Sequence, residues 1–274
     1  RITERLALYK VNVSPAGRAC STPPIRANSD VPGETLRPSS STMSNDSNHR
    51  DTMHSLVPTL RRWAEELGFA RLAISDVDLA EDEARLINWL DAGYQGDMAY
   101  MAAHGARRSR PADLVPGTTR IISVTFNYLS PAAHPMREIL ADDSRAYVSR
   151  YALGRDYHKM MRQRLQRLAD RIAEQVGPFG YRAFVDSAPV MERAIGRKAG
   201  LGWVGKHTNL LNRTDGSWFF LGELYTDLPL PVDSPTTAHC GTCRACIEAC
   251  PTAAIVEPYR LDARLCIAYL TIEH

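Results

Sequence analysis

Five of the six cysteines fall between Cys240 and Cys266, and their spacing is that of a ligand set. The segment CGTCRACIEACP reads C-x-x-C-x-x-C-x-x-x-C-P. Two-residue gaps let a tight loop aim the thiolates of Cys240, Cys243 and Cys246 at one [4Fe–4S] cube. The fourth cysteine, Cys250, is carried away into a helix and serves a second cube, with Pro251 redirecting the chain behind it. A structural zinc site is the competing chemistry, but it takes its ligands from two separated C-x-x-C knuckles as a rule. Cysteines run together and closed by C-P fit clusters better. Cys266 then becomes the second ligand of the second cube. Each cube takes four thiolates, so the remaining ligands are expected past His274, in a further C-x-x-C-x-x-x-C-P run. The sequence as it stands thus reads as a fragment that breaks off after a strand-like CIAYLTI.

Other candidates are single residues. Asp186 closes the apolar run YRAFVDS. A carboxyl at the end of such a strand can sit in a cleft, where burial raises its pKa and keeps a proton in place until it is needed. The plainer role for Asp186 and Ser187 is to cap a helix over PVMER, and spacing alone favours it. Arg155, Arg162, Arg164, Arg167 and Arg171 gather around one helical segment. They are candidates for phosphate contacts, although a solvated helix face is the default for such a pattern. The glycines of AGLGWVGKH have the look of a phosphate-cradling loop but match neither a P-loop nor a dinucleotide fingerprint in order and context.

The elements that must position these residues follow from periodicity. Residues 1 to about 50 are rich in Ser, Pro, Asn and charge and show no period that could bury a face. They read as a disordered tail or an upstream extension of the reading frame, with a transit peptide as the rival reading. Order is expected from Ser55: Leu56, Leu60, Trp63 and Leu67 recur at helical spacing before Gly68. ARLAIS reads as a strand, and Leu86, Trp89 and Leu90 mark a helix ending before Gly93. Arg120–Leu129 is a buried strand. A long amphipathic helix runs from Asp156, with Met161, Leu165, Leu168, Ile172 and Val176 on its inner face. A helix over Val190–Lys198 follows the strand that ends on Asp186, and the strands HTNLLN and SWFFLGELYTDL flank the turn RTDG. The fold class expected is α+β: a sheet domain over residues 55–235, then a ferredoxin-like two-cluster module, incomplete, over residues 236–274.

Composition excludes little. The chain has 274 residues, 44% hydrophobic and 23% charged, with a formal net charge of +2. That is ordinary globular composition, and so small an excess of base does not by itself imply nucleic acid. No run of about 18 apolar residues suggests a membrane span. No basic n-region leads into an apolar stretch, so a cytoplasmic location is expected. Crowded cysteines in such a chain read as reduced metal ligands, not as disulfides, and Cys20 stands alone in a polar segment.

Several stretches in one order resemble the epoxyqueuosine reductases, cobalamin- and iron–sulfur-dependent enzymes of tRNA queuosine biosynthesis. They are GYQGDMAYMAAHGARRSRPADLVPGT, YVSRYALGRDYHKMMRQRLQRL, FVDSAPVMERAIGRKAGLGWVGKHTNLLNR, GSWFFLGELYTDLPLPVD and CGTCRACIEACPTAAIVEPYRLDARLCIAYLTIEH. The resemblance runs from about Ser55 to the last residue. It implies reduction of epoxyqueuosine to queuosine in tRNA by cob(I)alamin, itself reduced through two [4Fe–4S] clusters, with Asp186 as the proton donor. It implies cobalamin contacts at Arg108, Ser149 (through backbone), Asp186, Leu210 and Leu221. It also implies a C-terminal helical-repeat region, not present in this sequence, that helps bind tRNA. The partners expected are a tRNA carrying epoxyqueuosine at the anticodon wobble position and an unidentified electron donor; no membrane is expected, and the chain is expected to be a monomer. Lys206 and His207 are candidates for contacts to cofactor side chains or tRNA. His158 invites a cobalt-ligand reading, because D-x-H opens one cobalamin fingerprint, but Met161 stands where that fingerprint has glycine, and a surface or capping role fits better. The alternatives are a related reductive dehalogenase acting on organohalides, and a plain electron-carrier module with no substrate.

Overall fold

The computed structural model describes residues 42–130, 133–186 and 188–273. Residues 1–41, with Cys20 and most of the expected tail, lie outside the described residues. The chain divides into units 1–46 and 47–274; the sheet, the cleft and the cysteine segment all belong to the second. Helix α1 (Thr42–Glu66) starts well ahead of Ser55. Residues 42–50 thus continue a helix where the sequence pointed to an irregular tail. Once a packed segment has nucleated a helix, each residue added gains a hydrogen bond at little further cost, even with poor formers. The helix stops at Gly68, whose φ of +81° suits glycine.

The order of elements continues with β1 (Arg71–Ser75), α2 (Ala80–Asp91), the short helices α3 (Tyr100–Ala103) and α4 (Pro111–Leu114), β2 (Arg120–Asn127), and α5 (Met136–Ala141). Then come α6 (Tyr157–Val176), β3 (Tyr181–Phe184), α7 (Glu192–Lys198), β4 (Trp203–Val204), β5 (Leu210–Leu211) and β6 (Phe219–Thr226). The main sheet has the order β1-β2-β6-β3, with every neighbouring pair antiparallel. β4 and β5 form a separate hairpin.

Alternation along the strands gives the sheet two buried faces. One presents Ile74, Ile122, Val124 and Leu224 to Leu56 and Leu60 of α1 and to Met161, Leu165, Leu168 and Ile172 of α6. These four α6 residues are fully buried, as their spacing predicted. The other face meets α7 through Ile121, Phe184 and Tyr225 against Ala194 and Ile195, and meets the β4–β5 hairpin through Phe219 and Leu221 against Leu201 and Leu210. The α+β class is therefore as expected, with a wholly antiparallel sheet.

The cysteine segment follows β6 with α8 (Ala245–Glu248), the hairpin of β7 (Ile255–Glu257) and β8 (Arg260–Leu261), and α9 (Ile267–Ile272). CIAYLTI, read as strand-like, is helical. Its β-branched residues give way to packing: the Leu270 N–H reaches the Cys266 carbonyl at 3.0 Å, and Tyr269 is buried. Hydrogen bonds stitch this segment to α2 and the turn after it. Trp89 Nε1 donates to the Leu261 carbonyl at 2.6 Å, the Asp97 N–H donates to Tyr269 Oη at 2.8 Å, and the Ala263 N–H donates to the Tyr94 carbonyl at 2.9 Å.

Candidate active site

Asp186 leaves the end of β3 with a φ of +53°, in the left-handed region that Asp tolerates better than most residues. This turn aims its carboxyl at the N-terminus of α6. There Tyr157 Oη donates to Asp186 Oδ2 at 2.5 Å, and His158 Nε2 lies 3.0 Å from the same oxygen. His158 Nδ1 is 3.0 Å from Asp156 Oδ1, so the imidazole bridges two carboxylates. Asp156 also caps α6 by accepting from the His158 N–H at 3.0 Å. Tyr157 is held flat against Phe220 of β6, with centroids 3.7 Å apart and planes 5° apart. Burial, and then the adjoining Asp186 carboxylate, push its phenol far above the ordinary range, so Tyr157 is a fixed donor.

The burial expected of Asp186 is not observed: its side chain is 53% exposed. It stands at the mouth of its cleft because the left-handed turn lifts it out of the strand. Nor does it cap α7, which begins only at Glu192 and has no side-chain cap. The buried carboxyls lie behind it. Glu223 on β6 is 1% exposed, and neither of its oxygens has a hydrogen-bond partner among the described residues. Burial, and then the charges of Glu192 and Asp186, raise its pKa well above the ordinary value. Glu192 opens α7 on the cleft wall; burial first, and Asp186 second, raise it to about 7, against an opposing pull from Arg193.

The cleft encloses about 310 Å³ and is lined by Tyr157, Asp186, Glu192, Leu210, Phe220 and Leu221, among others. It brings together three of the five residues expected to contact cobalamin: Asp186, Leu210 and Leu221. Ser149 lies nearby in sequence, two residues before Tyr151 of the same wall. Arg108 is outside the lining; it is buried, donates from Nη2 to the Tyr100 carbonyl at 2.8 Å, and keeps an unpartnered Nε. Tyr157, Glu192 and Glu223 were not singled out in the sequence, and His158 was considered as a cobalt ligand and set aside for a surface or capping role. DYH offered a signal for Tyr157 and His158, since Asp156 as a cap forces the next residues to the mouth of α6.

Cys240, Cys243, Cys246, Cys250 and Cys266 are all free thiols. Among the described residues no three His, Cys, Asp or Glu side chains converge as they would on a single metal ion. A cube, by contrast, spreads its thiolates over separate iron corners. The Cys243 N–H bonds to the Cys240 carbonyl at 2.9 Å, forming the tight loop that the spacing requires. Although burial pulls the Cys250 thiol upward, hydrogen bonds from Thr252 and from the Ala254 and Ile255 backbone outweigh it, and its pKa is lowered toward the thiolate form. Lys206 serves this loop. Its Nζ is buried and donates to the carbonyls of Gly241 and Cys243, both at 2.7 Å. The glycines before it permit close packing: a Cβ on Gly202 would lie 2.0 Å from the Leu211 carbonyl oxygen. Of the five arginines, Arg171 pairs with Glu66 at 2.6 Å and Arg164 lies over the Phe126 ring. Arg155, Arg162 and Arg167 are exposed.

Residues 108–187 match the family described as Epoxyqueuosine reductase QueG, DUF1730, and residues 239–274 match a 4Fe-4S double cluster binding domain. The epoxyqueuosine reductase of Pseudomonas aeruginosa is 62% identical over 220 residues, which is 80% of this chain and 61% of that protein. That of Escherichia coli is 53% identical over 221 residues, 81% of this chain and 58% of that protein. Over the matched residues the chain is similar to the epoxyqueuosine reductases. Solved structures of the family agree in fold. An epoxyqueuosine reductase bound to an epoxyqueuosine-modified tRNA-Tyr stem loop superimposes with a TM-score of 0.67 at 27% identity, over 80% of this chain and 57% of that one. The Bacillus subtilis enzyme, in a form with its aspartate catalytic loop swung out of the active site, gives 0.69 at 26% identity over the same shares. The chain thus spans about 61% of the length of the first of these family members.

Proposed function

We propose that this chain carries the catalytic core for reductive removal of the epoxide oxygen from epoxyqueuosine in tRNA, giving queuosine. The observation that carries this reading is the cleft: Asp186 lines it together with Leu210 and Leu221 and is bonded to a phenol and an imidazole, in a chain 62% identical over 220 residues to an epoxyqueuosine reductase.

The residues fit the cofactor set of the family, two [4Fe–4S] clusters and cobalamin. Cys240, Cys243 and Cys246 would hold one cube, with Cys250 and Cys266 contributing to the other. The apolar side chains of Leu210 and Leu221, the Ser149 backbone, Asp186 and Arg108, whose Nε lacks a partner among the described residues, would meet the corrin. When bound, this set supplies single electrons and a strongly reducing cobalt centre. The chain's own part is proton chemistry. The oxirane oxygen is a poor leaving group as an alkoxide, so an acid must protonate it. Asp186 is placed for this, with His158 able to pass it a proton and Tyr157 fixing the orientation of Oδ2. An aspartate catalytic loop that swings in the Bacillus subtilis relative supports a mobile, exposed acid over a buried one. Arg155, Arg162 and Arg167 are free to meet tRNA phosphates. Among the described residues no helix is long and apolar enough to cross a membrane. A cytoplasmic monomer served by a separate one-electron donor suits these features.

The test uses the complete protein, purified anaerobically with clusters reconstituted and cobalamin added. Asp186→Asn should reduce turnover of epoxyqueuosine-bearing tRNA by ~10²–10⁴-fold while cobalamin and iron still bind. Unchanged turnover would remove Asp186 as the acid, and failure to bind cobalamin would leave only an electron carrier.

A further inference from the structure

The face of the sheet beneath the cleft carries a buried polar strip that the reaction as described does not use. Glu223 is paired in register with Ser123 on β2 and with Phe184 on β3, two residues before Asp186. The Ser75, Ser123 and Thr125 hydroxyls, the Tyr225 phenol and both Glu223 oxygens are buried without hydrogen-bond partners among the described residues. An ionised carboxylate in such a place would be very costly, whereas a neutral acid is tolerable. The groups around it are known. Glu192 from α7 and Asp186 from the turn after β3 act on it as like charges, Tyr225 is its neighbour on β6, and Tyr157 and His158 close the far side at Asp186. Arg193, exposed and partly engaged by the Thr208 carbonyl at 2.9 Å, is the cation acting on Glu192 among the described residues. Three carboxyls thus run inward from the cleft mouth to the sheet, growing more buried at each step.

Epoxide reduction to an alkene takes two electrons and two protons: two C–O bonds break, a C=C bond forms and the oxygen leaves as water. One acid can give only one of those protons before it is reloaded. We propose that Glu192 and Glu223 form a proton store behind Asp186, with Glu192 supplying the second proton and Glu223 reloading it. The first proton, from Asp186, turns the oxirane oxygen into a hydroxyl as the first C–O bond breaks. The second, from Glu192, lets that hydroxyl leave as water as the other bond breaks and the alkene forms. The electrons come from the one-electron donor named above. Bulk solvent restores both protons between turnovers.

This inference rests on the proposed epoxide reduction, and two measurements keep the two separate. Infrared spectroscopy of the wild-type protein at pH 7, without substrate, should show the carbonyl stretch of a buried protonated carboxyl, lost in Glu223→Gln and kept in Asp186→Asn. In steady-state assays Glu192→Gln should lower kcat by ~10-fold or more with KM unchanged, and should alter the fall in rate at alkaline pH, leaving only the part set by Asp186. Absence of the infrared band in wild type overturns the store, and so does a Glu192→Gln enzyme with wild-type kcat and pH profile. A band present in a protein that does not turn over epoxyqueuosine overturns the reaction and leaves the buried acid standing.

Discussion

Two bonds converge on a single oxygen of Asp186, and they are not equivalent. His158 can exchange a proton with that oxygen. Tyr157 cannot yield its own, because burial and the adjacent carboxylate hold the phenol far above its ordinary pKa, so it acts as a clamp. A hydrogen bond to a charged partner contributes about 1.5–3 kcal/mol. Tyr157→Phe should therefore lower kcat by ~10–100-fold, with cobalamin binding unchanged by absorbance titration; a wild-type kcat would show that the clamp has no part in turnover. At this scale the sequence was informative about identity and poor about surroundings. Asp186 was a candidate from its place at the end of an apolar run, and the resemblance over FVDSAP favoured the acid over the cap. Its exposure, its φ of +53° and its tie to a histidine 28 residues earlier in the chain are tertiary facts with no local signature. Glu192 and Glu223 were invisible for the same reason. Nothing in FLGELYT announces that its one acid points into the protein; only the pairing of β6 between β2 and β3 puts it there.

Elements were more legible, because periodicity is a local property. Four of the five buried residues of α6 were read from the spacing, Ala169 being missed and Val176 only partly buried, and Asp156 lies at its cap. β1, β2 and α2 fall where the apolar spacing placed them. The failures are at the ends. α1 extends back to Thr42 through polar residues, and the last apolar stretch is the helix α9, not a strand. Both are places where context overrode intrinsic preference. α6 also joins fold to chemistry: its buried stripe fixes the axis, and the axis fixes where Tyr157 and His158 meet Asp186. Leu168, fully buried against both α1 and the sheet, is the residue with which to test this. Leu168→Ala should cost about 2–5 kcal/mol, read as a lower urea midpoint with the m-value retained. A loss well under 1 kcal/mol would mean that the stripe is not the anchor.

For the molecule as a whole, the buried acids tie stability to pH. Glu192 is raised from 4.5 to about 7, and burial raises Glu223 in the same direction. A group whose folded pKa exceeds its unfolded one gives its full stabilisation below the unfolded value and loses it as pH climbs through the folded one. The melting temperature should therefore fall between about pH 5 and pH 8. His207, whose pKa burial lowers, works in the opposite sense over part of this window. The difference between wild type and Glu223→Gln isolates the carboxyl: the variant should show the shallower decline in differential scanning calorimetry, and parallel curves would mean that Glu223 is ionised in the folded protein.

The bonds from Trp89, Asp97 and Tyr94 to Leu261, Tyr269 and Ala263 also have a consequence for how the protein responds to metal. The cysteine segment cannot behave as an interchangeable cartridge, since it shares backbone contacts with the stretch that leads to Arg108. Chelating the iron should then unsettle ground well outside the cysteines. Amide hydrogen exchange at residues 94–97 should quicken while β2 stays protected, so that metal loss disturbs the segment preceding Arg108 before it disturbs the sheet.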